Sequence, residues 1–548
     1  MQNLSFFNVN GNIGRGAYED PQFPTAASFE EHLDYLGIDR SLVWHVAARD
    51  LNPMRGNRRL LDEIAEAGLE QRLLPAFIVT PACFFEYGVL DFLRAHFSDG
   101  RVRALRITPD VSRFPIREIE RVLAELAQFK PALFWDCRHD HNEQDIRDME
   151  HLARTFPQIS FVLTQKMWGG FGSVLDLMWR CPNVYVDTSW LHMRDTLELL
   201  TENFGAERVL FGIGYKSHYG AAIAALMHAR LTDAQRALIA HGNIERMLKL
   251  DPLKEKKARP SALLQQKPLW NVFRTGHPLK DVEVIDAHGH TPPLTRGWII
   301  RQQDYQSGIA ALIAQMDHLG VSHLILAPEV ALFGENFNGN REVEDLLVKH
   351  ADRFSGYLVF NPLYAGEMIP RLDEFFQRGF FVGFKLLPSY WKIPATDPRY
   401  QPVWEYAQRH QRPILLHTWD DKYDSPVLLK DIAPKYPRAQ FILGHSGGGT
   451  AGRLEAEALA QAHPNVYLEF CGSFTTPRPF ETSLQLVGKD RILFGSDTGG
   501  HDQAWELGRY LSMPLPDDDL IPGLGANMRN ILWKAGKAKR TAPGQYPK

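Results

Sequence analysis

One order of short apolar runs occurs in the N-terminal half of the chain and again in the C-terminal half. Between the runs lie amphipathic stretches with helical spacing, such as "REVEDLLVKHADRF" and "RYQPVWEYAQRH". Apolar strands that alternate with amphipathic helices predict a parallel sheet whose outer face is covered by helices. The corresponding runs are "RSLVWHVA" (40–47) and "HLILA" (323–327), "RLLPAFIVTP" (72–81) and "GYLVFNP" (356–362), "RVRALRITP" (101–109) and "FVGFKLLP" (381–388), "PALFWD" (131–136) and "PILLH" (413–417), "ISFVLTQ" (159–165) and "QFILGHSGG" (440–448), "PNVYVDTS" (182–189) and "PNVYLEFC" (464–471), and "ERVLFGIG" (207–214) and "RILFGSD" (491–497).

The two sets of runs are offset by about 280 residues, which is the signature of an internal duplication. The chain has 548 residues, more than the ~250–300 that one hydrophobic core usually holds. Between the halves, residues 251–281 are rich in Lys, Pro and Gln without strand or helix periodicity, which predicts an interdomain linker. We therefore predict an α/β protein with two tandem (β/α)8 TIM barrels, at residues 1–250 and 282–548.

Composition limits the kinds of binding partner and the cellular location that this protein can be expected to have. The formal net charge is −4, with 61 Lys and Arg against 65 Asp and Glu, which argues against nucleic-acid binding as the main purpose. The N-terminus lacks the basic start and apolar segment of a signal peptide, and no run approaches the ~18 apolar residues of a membrane helix. The cysteines are far apart, as expected of reduced thiols in a cytoplasmic protein: Cys83, Cys137, Cys181 and Cys471. We expect cytoplasmic localisation and no membrane partner.

Ionisable residues of the second half fall where the predicted strands end, and barrel active sites lie at the carboxyl ends of the strands. In "VIDAHGH" (284–290), His288 and His290 are two residues apart on one strand, so both imidazoles can reach one ion. Imidazole nitrogen and carboxylate oxygen suit Zn²⁺, and also Mn²⁺ or Fe²⁺. The later strands add four candidates: Lys385, His417, His445 and Asp497. The second half therefore predicts a site for one divalent metal ion.

The order of these residues resembles the amidohydrolase superfamily, and more closely its amidohydrolase-related branch, the one that includes aminocarboxymuconate semialdehyde decarboxylase. The motifs that carry the resemblance span the second half nearly end to end: "DAHGH", "GFKLLP", "HTWD", "LGHSGGG" and "RILFGSD". The resemblance implies a mononuclear centre with four ligands, namely His288, His290, His417 and Asp497. It also implies that His445 orients or deprotonates a water molecule or polarises the substrate, and that Asp497 accepts a proton.

Other residues near the predicted strand ends are assigned weaker roles. Lys385 is either carbamylated, as in binuclear relatives, or in contact with the substrate, and we favour the substrate. Trp419 is predicted to contact the substrate as well. Three further aromatic residues are weaker candidates for the pocket wall, since aromatics near strand ends are usually core: Tyr390, Trp391 and Phe470. For Glu469 and Arg341 we expect solvated or structural ion pairs.

The first half lacks these ligands at the positions that match by spacing. In this alignment Asn8 and Asn10 occupy the positions of His288 and His290. The other aligned pairs are Arg106 with Lys385, Trp135 with His417, Gln165 with His445 and Gly214 with Asp497. Neutral amides and an indole do not hold a divalent ion in this geometry. The first barrel is therefore predicted to be a degenerate copy. Three nearby histidines are candidates for a new site, although we favour their interpretation as surface or loop residues: His139, His141 and His218.

Three functions are compatible with this pattern. The leading hypothesis is a metal-dependent hydrolase in which activated water attacks a small amide, lactone or ester. The first alternative is a non-oxidative decarboxylase, in which Lys385, Arg296 or Arg341 binds the leaving carboxylate. The second alternative is a non-catalytic scaffold of two barrels, against which the complete ligand set argues. We expect a small-molecule substrate and pairing of the two barrels within one chain, and we leave a homo-oligomer open.

Overall fold

A computed structural model describes residues 4–17, 21–137, 141–167, 169–253, 255–291, 299, 301–473 and 475–536. The chain divides into two compact units, residues 1–265 and 266–548. The strands of the first unit are β1 Phe7–Ile13, β2 Arg40–His45, β3 Leu73–Ile78, β4 Ala104–Ile107, β5 Ala132–Asp136, β6 Ser160–Thr164, β7 Val184–Asp187 and β8 Val209–Leu210. Those of the second unit are β9 Ile285–His290, β10 His323–Ala327, β11 Phe354–Val359, β12 Phe381–Leu386, β13 Pro413–His417, β14 Gln440–Gly444, β15 Val466–Glu469 and β16 Ile492–Leu493.

Each unit is a parallel sheet of eight strands in chain order that closes on itself. In the first unit, the amide of Val9 donates to the carbonyl oxygen of Phe211 at 2.9 Å. In the second, the amide of Ala287 donates to the carbonyl oxygen of Phe494 at 3.0 Å. These bonds join the first strand to the segment that follows the eighth. The prediction of two tandem (β/α)8 barrels is confirmed.

Helices follow the strands in both units. In the first unit they are α1 Ala26–Leu36, α2 Val46–Asp50, α3 Pro53–Glu66, α4 Val89–Ser98, α5 Pro109–Ser112, α6 Glu120–Leu126, α7 Glu143–Thr155, α8 Phe171–Arg180, α9 Thr196–Phe204, α10 Ala221–His228, α11 Asp233–Ala237 and α12 Asn243–Met247. In the second they are α13 Pro268–Phe273, α14 Tyr305–Leu319, α15 Glu329–Phe333, α16 Asn336–Glu342, α17 Glu344–Lys349, α18 Ala365–Met368, α19 Leu372–Gln377, α20 Pro388–Trp391, α21 Gln401–His410, α22 Thr450–Ala462, α23 Phe480–Val487, α24 Gln503–Leu511, α25 Asp517–Ile521 and α26 Asn527–Lys534. Within the described ranges, no helix is long and apolar enough to cross a membrane.

The observed strand bounds agree with the predicted apolar runs for the middle strands in sequence order and less well for the eighth strand of each barrel. The runs "HLILA" and "PILLH" coincide with β10 and β13. The eighth strands are only two residues long in each unit, although longer runs were predicted there. In the second barrel the chain then departs from an extended path, and Asp497 has a left-handed backbone with a φ of 55°. The short strand thus places an acidic side chain at the barrel mouth.

Both barrels close in the same way after their eighth strand. Asn243 donates through Nδ2 to the carbonyl oxygens of Ala206 and Val209, at 2.7 and 2.8 Å. Asn527 donates likewise to Lys489 and Ile492, both at 2.8 Å. A one-turn π-helix precedes each asparagine, at Leu238–Gly242 and Pro522–Ala526. This repeated detail agrees with the duplication that the sequence predicts.

The segment predicted as an irregular linker, residues 251–281, contains helical structure. A 3₁₀-helix at Ala262–Gln266 leads into α13, whose Trp270 and Phe273 are fully buried. Burial of two aromatic side chains offsets the low helix propensity of this Pro-containing stretch. The boundary between the two units, at residues 265 and 266, lies within the predicted linker. The helix in this linker was not predicted, because the apolar pair is too short to produce a recognisable period.

Lys267, just before α13, ties this segment to the second barrel. Its ammonium group is buried, donates to the carbonyl oxygen of Leu515 at 2.7 Å and lies 3.2 Å from Asp517 Oδ1. Burial lowers the pKa of Lys267 to about 8, against the opposing attraction of Asp517. The ion pair therefore compensates a charge that would otherwise be poorly solvated.

We expect Asp517→Asn to lower the free energy of unfolding by about 3–5 kcal/mol, because it leaves the Lys267 charge buried without its counter-charge. The matched control is Asp519→Asn, which removes the exposed partner of Lys489 at 3.1 Å and should change stability by less than about 1 kcal/mol. Thermal denaturation of both variants measures the difference. Equal melting temperatures would contradict a stabilising role for the buried pair.

Candidate active site

Three predicted ligands of the second barrel meet at the carboxyl ends of its first and last strands. Nε2 of His290 lies 2.8 Å from Asp497 Oδ1, and Nε2 of His288 lies 3.4 Å from the same oxygen. One nitrogen or oxygen from each of these residues lies within 4.8 Å of the others, a spacing at which they could hold a metal ion. Lys385 Nζ is 2.6 Å from His288 Nε2. The first and eighth strands are adjacent in the closed barrel, so residues far apart in the chain share one site.

A buried carboxyl group, Asp286, fixes this junction. Its Oδ1 accepts hydrogen bonds from the amides of His288 at 3.2 Å and Ser496 at 2.9 Å. The amide of Asp497 donates in turn to the carbonyl oxygen of His288 at 2.7 Å. Asp286 therefore joins β9 to the loop that carries Asp497.

Three histidines of the site have a hydrogen-bond acceptor beside Nδ1, which fixes the orientation of each ring: His288, His417 and His445. Glu469 Oε2 lies 2.8 Å from Nδ1 of His288, and Asp424 Oδ2 lies 2.7 Å from Nδ1 of His417. The carbonyl oxygen of Cys471 lies 2.7 Å from Nδ1 of His445. An acceptor at Nδ1 favours the tautomer that carries its proton there and leaves Nε2 unprotonated. In His288 that Nε2 atom already lies 2.6 Å from Lys385 Nζ.

Glu469 corrects the sequence-based interpretation, which expected a solvated or structural ion pair. The side chain is fully buried, and its oxygens contact the His288 ring and, at 2.5 Å, the amide of Cys471. Its place at the end of β15, among other strand-end candidates, was the available signal. Arg341 is different, because it forms the expected ion pair on the surface, 2.6 Å from Glu374. Arg296 lies outside the described residues.

His417 lies beside His445 and apart from the three clustered ligands. The ring centroids of His417 and His445 are 4.7 Å apart. Trp419 stacks on His417 at 6.1 Å, and Tyr390 contacts it edge-on at 5.2 Å. The described residues thus place Trp419 and Tyr390 beside the histidines.

The other two aromatic candidates face away from this group. Trp391 donates through Nε1 to the carbonyl oxygen of Leu332 at 2.9 Å and packs against the hydrophobic core. Phe470 is buried and stacks on Phe480 at 4.4 Å. Both therefore serve packing, which is the usual role of aromatics near strand ends.

Burial controls the charges of the site. It lowers the pKa of His288 and His445 well below the ordinary histidine value, so both rings are neutral at neutral pH. Burial alone would raise the pKa of Asp497, but the neighbouring imidazoles, His288 foremost, hold it well below its usual value. Burial also lowers the pKa of Lys385 to about 8. The site thus offers neutral imidazoles and an ionised carboxylate, which are the protonation states that bind a metal ion.

A second group of possible ligands also includes His288, but it lies beside the Nδ1 atom of that ring rather than beside Nε2. It consists of His288, His445, Glu469 and Cys471. Cys471 Sγ lies 3.2 Å from His288 Nδ1 and 3.0 Å from Glu469 Oε2. Burial raises the pKa of the Cys471 thiol well above its ordinary value and raises that of Glu469 as well. The Cys471 thiol would have to lose its proton before this group could bind a cation through sulfur, a step that the group containing Asp497 does not need.

Strand pairing in the first barrel corrects the alignment made by spacing. Asn8 Oδ1 accepts from the amides of Asn10 and Ile213, at 3.0 and 2.9 Å, as Asp286 accepts in the second barrel. Asn12 pairs with Trp44 on β2 just as His290 pairs with Ala327 on β10. Asn10 and Asn12, rather than Asn8 and Asn10, therefore correspond to His288 and His290. Loop lengths differ between the barrels, so sequence separations could not determine the strand register.

The fifth strand needs a similar correction. Arg106 pairs with Phe134, as Lys385 pairs with Leu415. Two residues further along each fifth strand stand Asp136 and His417, so Asp136 rather than Trp135 replaces the histidine. Arg106 Nη2 donates to Asn10 Oδ1 at 2.5 Å, to Thr164 Oγ1 at 3.1 Å and to Asp136. A guanidinium group thus lies among the positions that correspond to the ligands of the second barrel.

The prediction that His139, His141 and His218 are surface or loop residues holds only in part. His218 is buried and contacts Trp190 edge-on at 5.2 Å, so its interpretation as a surface or loop residue was wrong. His141 is partly exposed, and its Nδ1 lies 3.2 Å from Lys166 Nζ. His139 lies outside the described residues.

Comparison with known families agrees with this architecture. A family model described as Amidohydrolase matches residues 20–250 and again residues 285–533. The chain belongs to the amidohydrolase family, and both of its barrels are members, as the predicted resemblance and duplication require. A search of curated proteins gave no match.

Solved structures resemble one barrel at a time. A TIM-barrel protein of Bordetella bronchiseptica is 16% identical, with a TM-score of 0.40, over 46% of this chain and 100% of that chain. The 5-carboxyvanillate decarboxylase of Sphingomonas paucimobilis is 14% identical, with a TM-score of 0.36, over 46% and 99%. A probable 2-pyrone-4,6-dicarboxylic acid hydrolase of Acinetobacter baumannii is 15% identical, with a TM-score of 0.35, over 46% and 100%.

We expect Glu469→Gln to weaken binding of a divalent cation by about 10–100-fold, the usual effect of removing a carboxylate that orients a ligating histidine. The amide keeps the size of the side chain but loses the charge that holds the proton on His288 Nδ1. Competition with a chromogenic chelator measures the affinity. The control is Glu457→Gln, another buried glutamate of the same barrel, which pairs with Arg478 at 2.7 Å instead. Equal losses in both variants would show that Glu469 acts only on stability.

Proposed function

We propose that the second barrel is a metal-dependent hydrolase that acts on a small amide, lactone or ester. The observation that carries the proposal is the convergence of two imidazole nitrogens, from His288 and His290, on one oxygen of Asp497. Two neutral nitrogens and one anionic oxygen form a donor set that suits a divalent cation.

The proposed ligands are His288, His290 and Asp497, with His417 as the fourth. Nε2 of His290 lies 2.8 Å from Asp497 Oδ1, whereas its buried Nδ1 atom has no hydrogen-bond partner among the described residues. His417 offers Nε2, because its Nδ1 is held by Asp424. Zn²⁺ is the proposed ion, and Mn²⁺ and Fe²⁺ suit the same donors. A divalent cation here would supply Lewis acidity, which polarises a carbonyl group and lowers the pKa of water.

His445 is the proposed general base. Its Nδ1 is held by the carbonyl oxygen of Cys471, and burial keeps the ring neutral, so Nε2 can accept a proton. Its ring centroid is 5.1 Å from that of His288 and 4.7 Å from that of His417. Asp497 is proposed to accept a proton as well as to ligate. Lys385 and Trp419 are proposed to contact the substrate.

Loss of a proposed ligand should remove the metal and the activity together. We expect the purified chain to contain about one divalent ion, and His290→Ala and Asp497→Ala to contain almost none. Elemental analysis measures the stoichiometry. Two ions per chain would instead favour the carbamylated form of Lys385 or occupation of the second ligand group.

Loss of the proposed base should separate metal binding from turnover. His445→Ala is expected to retain the ion while kcat falls by about 10²–10⁴-fold, the usual contribution of a general acid or base. Metal content and kcat are measured on the same preparation. Loss of the ion from this variant would identify His445 as a ligand and contradict the four-residue assignment.

Lys385 supports decarboxylation as the second candidate function. It is a fully buried cation 2.6 Å from His288 Nε2, where it could bind a substrate carboxylate. Arg341, the other described candidate for this role, is engaged on the surface by Glu374. A panel of amides, lactones, esters and aromatic or unsaturated acids separates the two reactions, because hydrolysis of an ester or lactone releases acid and decarboxylation releases carbon dioxide.

A further inference from the structure

We propose that His501 is a positioning residue for the carboxylate of Asp497, an inference that rests on the metal site proposed above. Oδ1 of Asp497 faces His288 and His290, at 3.4 and 2.8 Å from their Nε2 atoms. Oδ2 of the same carboxylate lies 3.6 Å from Nε2 of His501, which is the distance of an ion pair rather than of a hydrogen bond. One oxygen of Asp497 therefore faces the other proposed ligands, and the second oxygen faces His501.

The chain after Asp497 folds back so that His501 returns to this carboxylate. Gly499 has a φ of 119°, a conformation that favours glycine, and the amide of His501 donates to the carbonyl oxygen of Asp497 at 3.3 Å. The amide of His290 donates to the carbonyl oxygen of Thr498 at 2.8 Å, which ties this turn to β9. His501 itself is buried. The backbone thus determines where this imidazole lies relative to Asp497.

The other nitrogen of His501 faces a buried ion pair on α24. Glu506 Oε1 lies 3.7 Å from Nδ1 of His501 and accepts a hydrogen bond from the amide of Gly472 at 3.0 Å. Glu506 Oε2 accepts from Arg509 at 2.7 Å, and Arg509 also donates to the carbonyl oxygen of Phe470 at 2.7 Å. The imidazole therefore lies between two carboxylates, one of which is held rigidly by the barrel.

The first barrel provides an internal comparison. Gly214 corresponds to Asp497, since the preceding amide in each barrel donates to the buried side chain that joins the first strand to this loop. His218 follows Gly214 by four residues, as His501 follows Asp497. A side chain at Gly214 would begin 2.0 Å from Nδ1 of His218, so that ring fills the space of the missing carboxylate. In both barrels this histidine points to the residue after the eighth strand, and in the second barrel it meets a carboxylate there.

The consequence concerns how Asp497 would bind a cation. A carboxylate binds a metal ion through one oxygen or through both. Groups that contact a ligand from outside the metal centre orient it, and their loss typically weakens metal binding by about 10–100-fold. With Oδ2 engaged by His501, Oδ1 alone is left for the cation, and this is the oxygen that the two histidines of β9 face.

The test is the binding of Co²⁺ to the metal-free full-length chain, measured by competition with a chromogenic chelator. His501→Ala and His501→Asn should each weaken binding by about 10–100-fold. His501→Gln should keep the parental affinity, because its amide nitrogen has the reach of the imidazole Nε2 atom, whereas that of asparagine has the reach of Nδ1. Parental affinity in His501→Ala, or rescue by asparagine instead of glutamine, would overturn the proposal.

The matched control is His218→Ala, which removes the corresponding buried histidine from the barrel without the ligands. Circular dichroism is used to establish that each variant is folded. The control should bind Co²⁺ as the parent does. An equal loss of affinity in His218→Ala and His501→Ala would show an effect through stability alone and would overturn the positioning role.

The visible spectrum of bound Co²⁺ separates orientation of the carboxylate from stability. Without His501, Oδ2 can reach the cation as well, and the d–d absorption of Co²⁺ weakens as its coordination number rises. Absorption per bound ion should therefore fall in His501→Ala and return in His501→Gln. An unchanged spectrum in His501→Ala would overturn this inference and leave the metal site standing, whereas a parent chain that binds no Co²⁺ would overturn both.

Discussion

The geometry of the candidate active site depends on one buried side chain, which links the first strand of the barrel to the loop after the eighth strand. In the second barrel Asp286 does this, with hydrogen bonds to the amides of His288 and Ser496 and a further one from Gln503 Nε2 at 2.7 Å. Burial raises the pKa of Asp286 to about 7, and the donors around it offset part of that penalty. Because the bonds are to backbone amides, they position the histidines of β9 and the carboxylate of Asp497 relative to each other.

The same junction in the first barrel shows that fold and ligand set are separable. Asn8 makes the corresponding bonds through its amide oxygen, which accepts hydrogen bonds without a charge. Asp187 ends β7 as Glu469 ends β15, and burial likewise raises the pKa of Asp187, to about 7. The first barrel therefore keeps the scaffold of the site, while Asn10, Asn12, Asp136 and Gly214 stand at the positions of the four proposed ligands.

Histidines whose Nδ1 atoms are held by hydrogen-bond acceptors distinguish the second barrel from the first. Each imidazole that ends a middle strand has an acceptor at Nδ1: Asp424 for His417 and the carbonyl oxygen of Cys471 for His445. Glu469 does the same for His288. These acceptors come from later strands and loops, so orientation of the site requires the closed barrel. An isolated β9 would place His288 and His290 on one side but would leave either ring nitrogen free to carry the proton.

The sequence by itself determined the repeated order of strands, the duplication and the residues that could bind a metal, because apolar runs and strand-end histidines are local features. The tertiary structure decided the rest. It showed that Asn10 and Asn12 correspond to His288 and His290, because strand register is set by pairing between strands. It brought Glu469 onto His288 and buried Trp270 in a segment that appeared to be a linker. These outcomes depend on contacts between distant residues, and no local period or spacing in the chain encodes them.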